Sequence, residues 1–220
     1  MKFIKVLRPW QWAKNILILI PALLNKPFSL HNIENAFLGF ALFSIFVSGN
    51  YILNDISDIE NDKAHPKKKF RPIANGSIDI RTAKIYSTIL ISLSLSSFYY
   101  FFDFAAWYLL IYLMFSILYT NFLKFNFIVN SFAISFFFLI RLFLGGFITE
   151  IQISFFLSAY IFFTSFFIAV MKKNSILNTK GIENNRYFNI VLKENSVLQI
   201  SSLSLISLFL SNVALYVWGI

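Results

Sequence analysis

Long apolar runs separated by short polar clusters set the pattern of this chain. Residues 15–31, 36–54, 83–102, 105–122, 127–147, 153–171 and 196–218 form seven such runs, and crossing a hydrocarbon core takes about 20 apolar helical residues. The pattern predicts an all-α fold, a polytopic transmembrane helical bundle of about seven spans, as one domain over residues 1–220. The first run is the weakest, because Pro21, Lys26 and Pro27 interrupt it. A basic start followed by an apolar run also fits a secretory signal. No small-x-small cleavage site follows, however, and the spans continue to the end.

The polar clusters between the runs give the orientation. With the amino terminus cytosolic, the inner segments carry Lys2, Lys5, Arg8 and Lys14, then Lys63 to Lys84, then Lys124, then Lys172, Lys173, Lys180, Arg186 and Lys193. The outer segments carry only Lys26, and Arg141 lies inside a span. This asymmetry obeys the positive-inside rule. Two inner loops are long, residues 55–82 and 172–195, so the machinery is expected at the cytosolic face of the inner membrane.

Composition narrows the chemistry. The chain is 58% hydrophobic and 13% charged, with a net charge of +9 confined to one face. A soluble domain of this size has nowhere to hide so much apolar surface. The basic face suits anionic lipid heads or phosphorylated substrates; nucleic acid is not an expected partner, since the cations sit on short loops pinned to the bilayer. No cysteine is present, which removes thiolate chemistry, and His31 and His65 alone cannot build a histidine-rich metal site. Oxygen ligands remain.

The densest candidate is Asn54-Asp55-Ile56-Ser57-Asp58-Ile59-Glu60-Asn61-Asp62. On a helix continuing the second run, Asn54, Asp58, Asp62 and Asp55 fall at about 0°, 40°, 80° and 100°, and Glu60 at about 240°, pointing away. Carboxylates on one stripe repel one another unless a cation neutralises them. Acids at a helix carboxyl end also oppose the macrodipole. Magnesium suits the arrangement, since it takes a few carboxylates, keeps waters and completes its shell with substrate phosphates. An ordinary solvated helix end is the plain alternative. Directly after the acids comes Lys63-Ala64-His65-Pro66-Lys67-Lys68-Lys69-Phe70-Arg71-Pro72, where Pro66 turns the basic run into a loop. A metal-bound diphosphate needs such a loop beside the carboxylates. Lys67 to Lys69 also fit a purely topogenic role, whereas Arg71 between Phe70 and Pro72 looks positioned. Arg8, Gln11, Lys14 and Asn15 share about 120° of one α-helical face, suited to an anion or to interfacial anchoring beside Trp10 and Trp12.

The Asn-Asp-x-x-Asp-x-x-x-Asp pattern after an apolar run resembles the first signature of the UbiA superfamily of intramembrane prenyltransferases. Arg8-Pro9-Trp10-Gln11-Trp12-Ala13-Lys14-Asn15, with His65-Pro66-Lys67 and Arg71-Pro72-Ile73-Ala74-Asn75-Gly76, is similar to the branch that moves phosphoribose onto a polyprenyl phosphate. The resemblance implies a Mg2+ site at Asp55, Asp58 and Asp62, a soluble donor, 5-phosphoribose 1-diphosphate, and a lipid-borne polyprenyl phosphate acceptor. It assigns substrate contacts to Arg8, Gln11, Lys14, Asn15, Asn54, Lys63, His65, Lys67 and Arg71. Tyr119 to Lys124 resembles the family's next inner loop, but Asn130 stands where an aspartate is usual, which weakens a two-metal picture. Arg141, beside Gly145 and Gly146, and Lys172 resemble further family positions. Family members usually have nine spans; with seven, one side of the cavity would stand open or be closed by self-association. Prenyl transfer to an aromatic or haem-like acceptor, a non-catalytic degenerate member and a transporter are the competing expectations, the last disfavoured because ionisable groups gather at the inner edge rather than the midplane.

Overall fold

A computed structural model describes residues 2–177 and 197–218. Among these residues the structure is helical without strands: α1 (Lys2–Leu7), a 3-10 run (Pro9–Ile18), α2 (Ile20–Leu24), α3 (Leu30–Ser57), α4 (Ile59–Lys63), α5 (Ile80–Phe102), α6 (Ala106–Asn121), α7 (Phe127–Ile148), α8 (Phe155–Leu177) and α9 (Val197–Trp218). Lys180, Arg186 and Lys193, in the inner loop expected over 172–195, lie outside the described residues.

Among the described residues, four helical stretches are long and apolar enough to cross a membrane: Leu30–Ser57, Ile80–Asn121, Ile128–Ile148 and Phe155–Lys172. The 42-residue stretch Ile80–Asn121 is broken by a 3-10 turn at Asp103–Ala105, where Asp103 takes a positive φ of 44°. Residues 15–31 do not form the single spanning helix expected of them. The chain there is a 3-10 run followed by the five-residue α2, and α2 ends at Leu24 ahead of Lys26 and Pro27. Proline lacks the N–H that a continuing helix would need, and its ring clashes with the preceding turn.

The chain divides into two compact units, Met1–Ile117 with Phe143–Gln152, and Leu118–Leu142 with Ile153–Ile220. In the first unit α3 is the central element. Its start is capped by Ser29, whose hydroxyl accepts from Asn32 N–H at 3.4 Å. Small residues then let neighbours approach closely, as helix pairs in lipid require. Ser87 of α5 donates to the Gly49 carbonyl at 2.8 Å, and a Cβ on Gly49 would meet Ile91 at 2.9 Å. Asn50, buried, donates to Ser116 of α6 at 2.8 Å, and Phe43 and Phe46 pack edge-on to Tyr112. Gly145 of α7 lies against the backbone of Ile18. Over its most apolar 18 residues α3 is 56% buried, against 22% for the most apolar 18 residues of Ile80–Asn121, so α3 is the more enclosed of the two. Within the second unit α8 packs on α9, and Phe132 of α7 meets Phe162 and Phe166 of α8.

Candidate active site

The acidic segment is not one continuous helix. Helix α3 ends at Ser57, Asp58 caps it with φ −100° and ψ 9°, and α4 restarts at Ile59. The expected common stripe is therefore bent at Asp58. Two short bonds hold the bend, Asp58 N–H to Asn54 O at 3.0 Å and Asp62 N–H to Asp58 O at 2.8 Å. The bend still brings two of the predicted carboxylates to one point. Asp55, 4% exposed, and Asp62, 1% exposed, both accept from Arg71 Nη1, at 3.1 Å from Asp55 Oδ1 and 2.6 Å from Asp62 Oδ2. Asp55 Oδ1 also pairs with Nη2 of Arg8. Glu60 points away, as its angular position predicts, and is highly exposed; Lys63 pairs with it at 2.9 Å instead of facing the acids.

The loop that delivers Arg71 is built from below. Ile73, Ile78 and Ala83 pack with Val6 and Ile52 in a buried cluster, flanked by Ile56, Ile59 and Leu90. Burying such side chains is worth about 1.5–3 kcal/mol each for Val and Ile, so α1 and the loop are clamped against the end of α3. Above them, Arg71 N–H bonds Lys68 O at 2.9 Å, and Asn75 N–H bonds Arg71 O at 2.9 Å. Gly76 then turns at φ 73°, helped by Ser77 N–H donating to Asn75 Oδ1 at 2.9 Å. His65 shapes the approach: its Nδ1 accepts from the N–H groups of Lys67, at 3.1 Å, and Lys68, at 3.3 Å. Burial, then the neighbouring Lys68 charge, push the His65 imidazole below its usual pKa, so it is the neutral form that accepts.

Lys68, exposed at the surface, lies near enough to Arg71 and Asp62 to feel both charges. Loss of water around its ammonium, then the Arg71 charge, lower its pKa, while Asp62 and Asp58 oppose them. The signal available in sequence is only a run of three lysines, of which Lys68 opens the 3-10 turn Lys68–Phe70.

The amino-terminal quartet separates. Arg8 stands between α1 and the 3-10 run with a left-handed φ of 52°, its guanidinium 5.4 Å above the Tyr51 ring. The following run is 3-10, not α, so three residues complete a turn and Gln11 aligns with Lys14 while Asn15 is turned aside. Lys14 is exposed and Gln11 half-buried, whereas Asn15 is fully buried and donates to Ser44 Oγ at 2.9 Å. The α-helical face drawn for these four residues does not form. Trp12 anchors the run through Nε1 to Ser48 Oγ at 3.0 Å, and Trp10 remains exposed. Asn54 is half-buried on the last turn of α3.

In the second unit Asn130, buried, donates to Lys124 O at 3.1 Å and accepts from the Tyr119 hydroxyl at 3.5 Å, so these three predicted positions form one group. Arg141, 2% exposed, donates to Phe137 O at 2.6 Å and lies 5.8 Å from the Phe138 ring. Lys172 is exposed near the end of α8.

Among the described residues no three acidic or imidazole side chains form a ready-made metal cage. The fit to magnesium rests on fewer ligands. Two buried carboxylates converge on one cationic nitrogen, Arg71 Nη1, and hard oxygen donors in that number suit an ion that takes the rest of its shell from water and phosphate.

The chain belongs to the UbiA prenyltransferase family, whose model matches residues 16–220. It is a multi-pass membrane protein. Two solved structures of a UbiA homologue from Archaeoglobus fulgidus share the fold: the form bound to DMAPP and Mg2+ at TM-score 0.72 and 16% identity, covering 98% of this chain and 85% of the other, and the form bound to GPP and Mg2+ at TM-score 0.74 and 17% identity, covering 97% and 77%. By sequence, the chain is similar to the decaprenyl-phosphate phosphoribosyltransferase of Mycobacterium tuberculosis, 31% identical over 180 residues, and to that of Corynebacterium glutamicum, 39% identical over 95 residues. These alignments cover 80% and 42% of this chain. The chain spans 60% of the M. tuberculosis protein's length, and the C. glutamicum match spans 29% of its relative.

Proposed function

We propose that the chain transfers 5-phosphoribose from 5-phosphoribose 1-diphosphate to a polyprenyl phosphate, with its site at the cytosolic face of the inner membrane. The observation that carries the reading is the convergence of Asp55 and Asp62 on Arg71, beside Lys68 and the His65 turn. Acids and bases interleaved in this way suit a diphosphate accompanied by a divalent ion, and the relatives named as phosphoribosyltransferases favour this donor. Asp55, Asp62 and Asp58 would hold Mg2+, which supplies charge neutralisation on the leaving group when bound. Arg71, Arg8 and Lys68 would take diphosphate oxygens as charge builds there. A phosphate oxygen of the acceptor attacks the anomeric carbon, the bond from that carbon to the diphosphate breaks, and pyrophosphate leaves. The acceptor is already ionised, so no general base is needed. In this reading Lys14, exposed on the amino-terminal run, would steer the acceptor phosphate.

Prenyl transfer from a prenyl diphosphate is the second reading, favoured by the fold's likeness to structures bound to DMAPP and GPP. Purified protein in lipid, incubated with magnesium, labelled 5-phosphoribose 1-diphosphate and a polyprenyl phosphate, decides between them. Label in the lipid fraction supports phosphoribosyl transfer. Its absence from folded protein, with product formed from a labelled prenyl diphosphate, supports the second.

A further inference from the structure

The carboxylates of this site are not waiting as bare anions. Arg71 Nη1 touches Asp55 and Asp62 at once, and Arg8 pairs with the same Asp55 oxygen. Two acids and two guanidinia leave the group with no net charge. Asp55 and Asp62 are almost wholly buried, while Arg8 and Arg71 keep 15% and 27% of their side chains exposed. The acids are therefore fixed and the arginines have a way out. Arg8 adds a second sign of a poised contact. It takes a left-handed φ of 52° immediately before Pro9, a conformation costly for a side-chain-bearing residue and one the following proline disfavours. Its bond to Asp55 accompanies that conformation.

We propose that Arg71 and Arg8 act as resident counter-cations, so that metal and diphosphate can enter only together, the arginines passing from the carboxylates to the diphosphate as the metal takes their place. The inference rests on the metal–diphosphate reading above and adds an order of binding to it. A bare dication must break the arginine–carboxylate bonds and leave guanidinia with no anionic partner beside a second positive charge. A metal–diphosphate complex repairs each loss, because its oxygens accept the displaced guanidinia. Bare metal therefore binds weakly, and the two ligands bind with strong positive coupling, which thermodynamic linkage makes reciprocal. Arg71, touching both acids, carries more of this effect than Arg8.

Two equilibrium measurements on the full chain in lipid nanodiscs test the exchange, neither of them turnover. One follows free Mn2+ by its electron paramagnetic resonance signal, without phosphate. The other follows retention of labelled pyrophosphate in excess Mg2+. Arg71→Gln is expected to tighten Mn2+ alone by about tenfold and to weaken Mg–pyrophosphate by about tenfold, within the usual range of site coupling. Arg8→Gln should shift both the same way by less. Arg71→Lys, which keeps a charge on a shorter side chain without the guanidinium fork, should fall between wild type and Arg71→Gln, and it serves where the glutamine variant does not fold. Mn2+ binding that is unchanged or weakened in the folded Arg71 variants overturns the proposal while the wild type still retains pyrophosphate. A wild type that retains no pyrophosphate in Mg2+ overturns the site reading itself, and this proposal with it.

Discussion

Arg71 Nη1 lies 2.6 Å from Asp62 Oδ2, and Asp62 keeps only 2% of its side chain exposed. A carboxylate so deeply buried is tolerable only while paired. Breaking a buried pair from one side costs about 3–5 kcal/mol, but Arg71 can reach water. Asp62→Ala should therefore destabilise the protein by about 2–3 kcal/mol, since the arginine left behind is partly solvated. Thermal unfolding in detergent measures it, and a cycle with Arg71→Ala should return a coupling of about 1–3 kcal/mol. Additive single and double variants would remove the pair from the stability of the site.

Asp58 and Glu60 are two residues apart and sharply different. Asp58 caps α3 beside the buried pair, whereas Glu60 is exposed and bonded to Lys63. Asp58→Asn should lower phosphoribosyl transfer more than about a hundredfold, because changes even in outer-shell partners of a metal cost 10–100-fold. Membrane insertion should be intact. Glu60→Gln should stay within about twofold of wild type, as exposed pairs contribute little. Retained transfer in Asp58→Asn would take that carboxylate out of the mechanism.

Part of this site is legible in the amino-acid sequence. Helical angles set Asp55 and Asp62, which are buried, apart from Glu60, which is exposed, because near-neighbour geometry on a helix follows from residue spacing, and Arg71 stands out between Phe70 and Pro72. The break at Asp58 is not legible, since angular arithmetic assumes one unbroken pitch. Nor is the Arg8–Asp55 pair, 47 residues apart, which depends on α1 packing through Val6 onto the end of α3. Asn15 turns inward to Ser44 while its neighbour Lys14 is exposed, a tertiary bond that composition does not announce. Six of the seven apolar runs overlap long helices; the exception, residues 15–31, is the run that Pro21 and Pro27 interrupt.

Gly145 tests how closely α7 must approach the amino-terminal run. A Cβ there would lie 2.4 Å from Ile18 O and 2.9 Å from Ile18 C and Cα, all backbone atoms that cannot rotate aside. Gly145→Ala should destabilise by about 1–3 kcal/mol, the usual range for overpacking. Gly76→Ala meets no atom within 4 Å but must hold φ 73°. About 1–2 kcal/mol is expected from that strain alone. Melting temperatures of both variants, with Gly39→Ala as a third, whose Cβ would meet the movable Ile148 side-chain tip at 2.3 Å, should rank Gly39→Ala as the mildest of the tight contacts. A neutral Gly145→Ala would mean that the Ile18 backbone yields.

His65 gives the site a pH dependence whose sign can be worked out. Its folded pKa lies below the ordinary 6.5, through burial and the Lys68 charge. The folded state therefore binds fewer protons than the unfolded chain as pH falls through this region. The stabilisation from neutral His65 is present in full above pH 6.5 and is lost progressively as pH drops from 6.5 through the lower folded value. The structural reason is that Nδ1 must accept from Lys67 and Lys68 N–H, and a protonated imidazole has no acceptor left. His65→Asn offers an oxygen near the Nδ1 position that does not titrate. Between about pH 8 and 5 the wild type should lose stability relative to His65→Asn, the gap opening only below about pH 6.5. Unfolding midpoints in detergent across that range measure the gap. Parallel curves for the two proteins would show that the His65 proton is not linked to the turn.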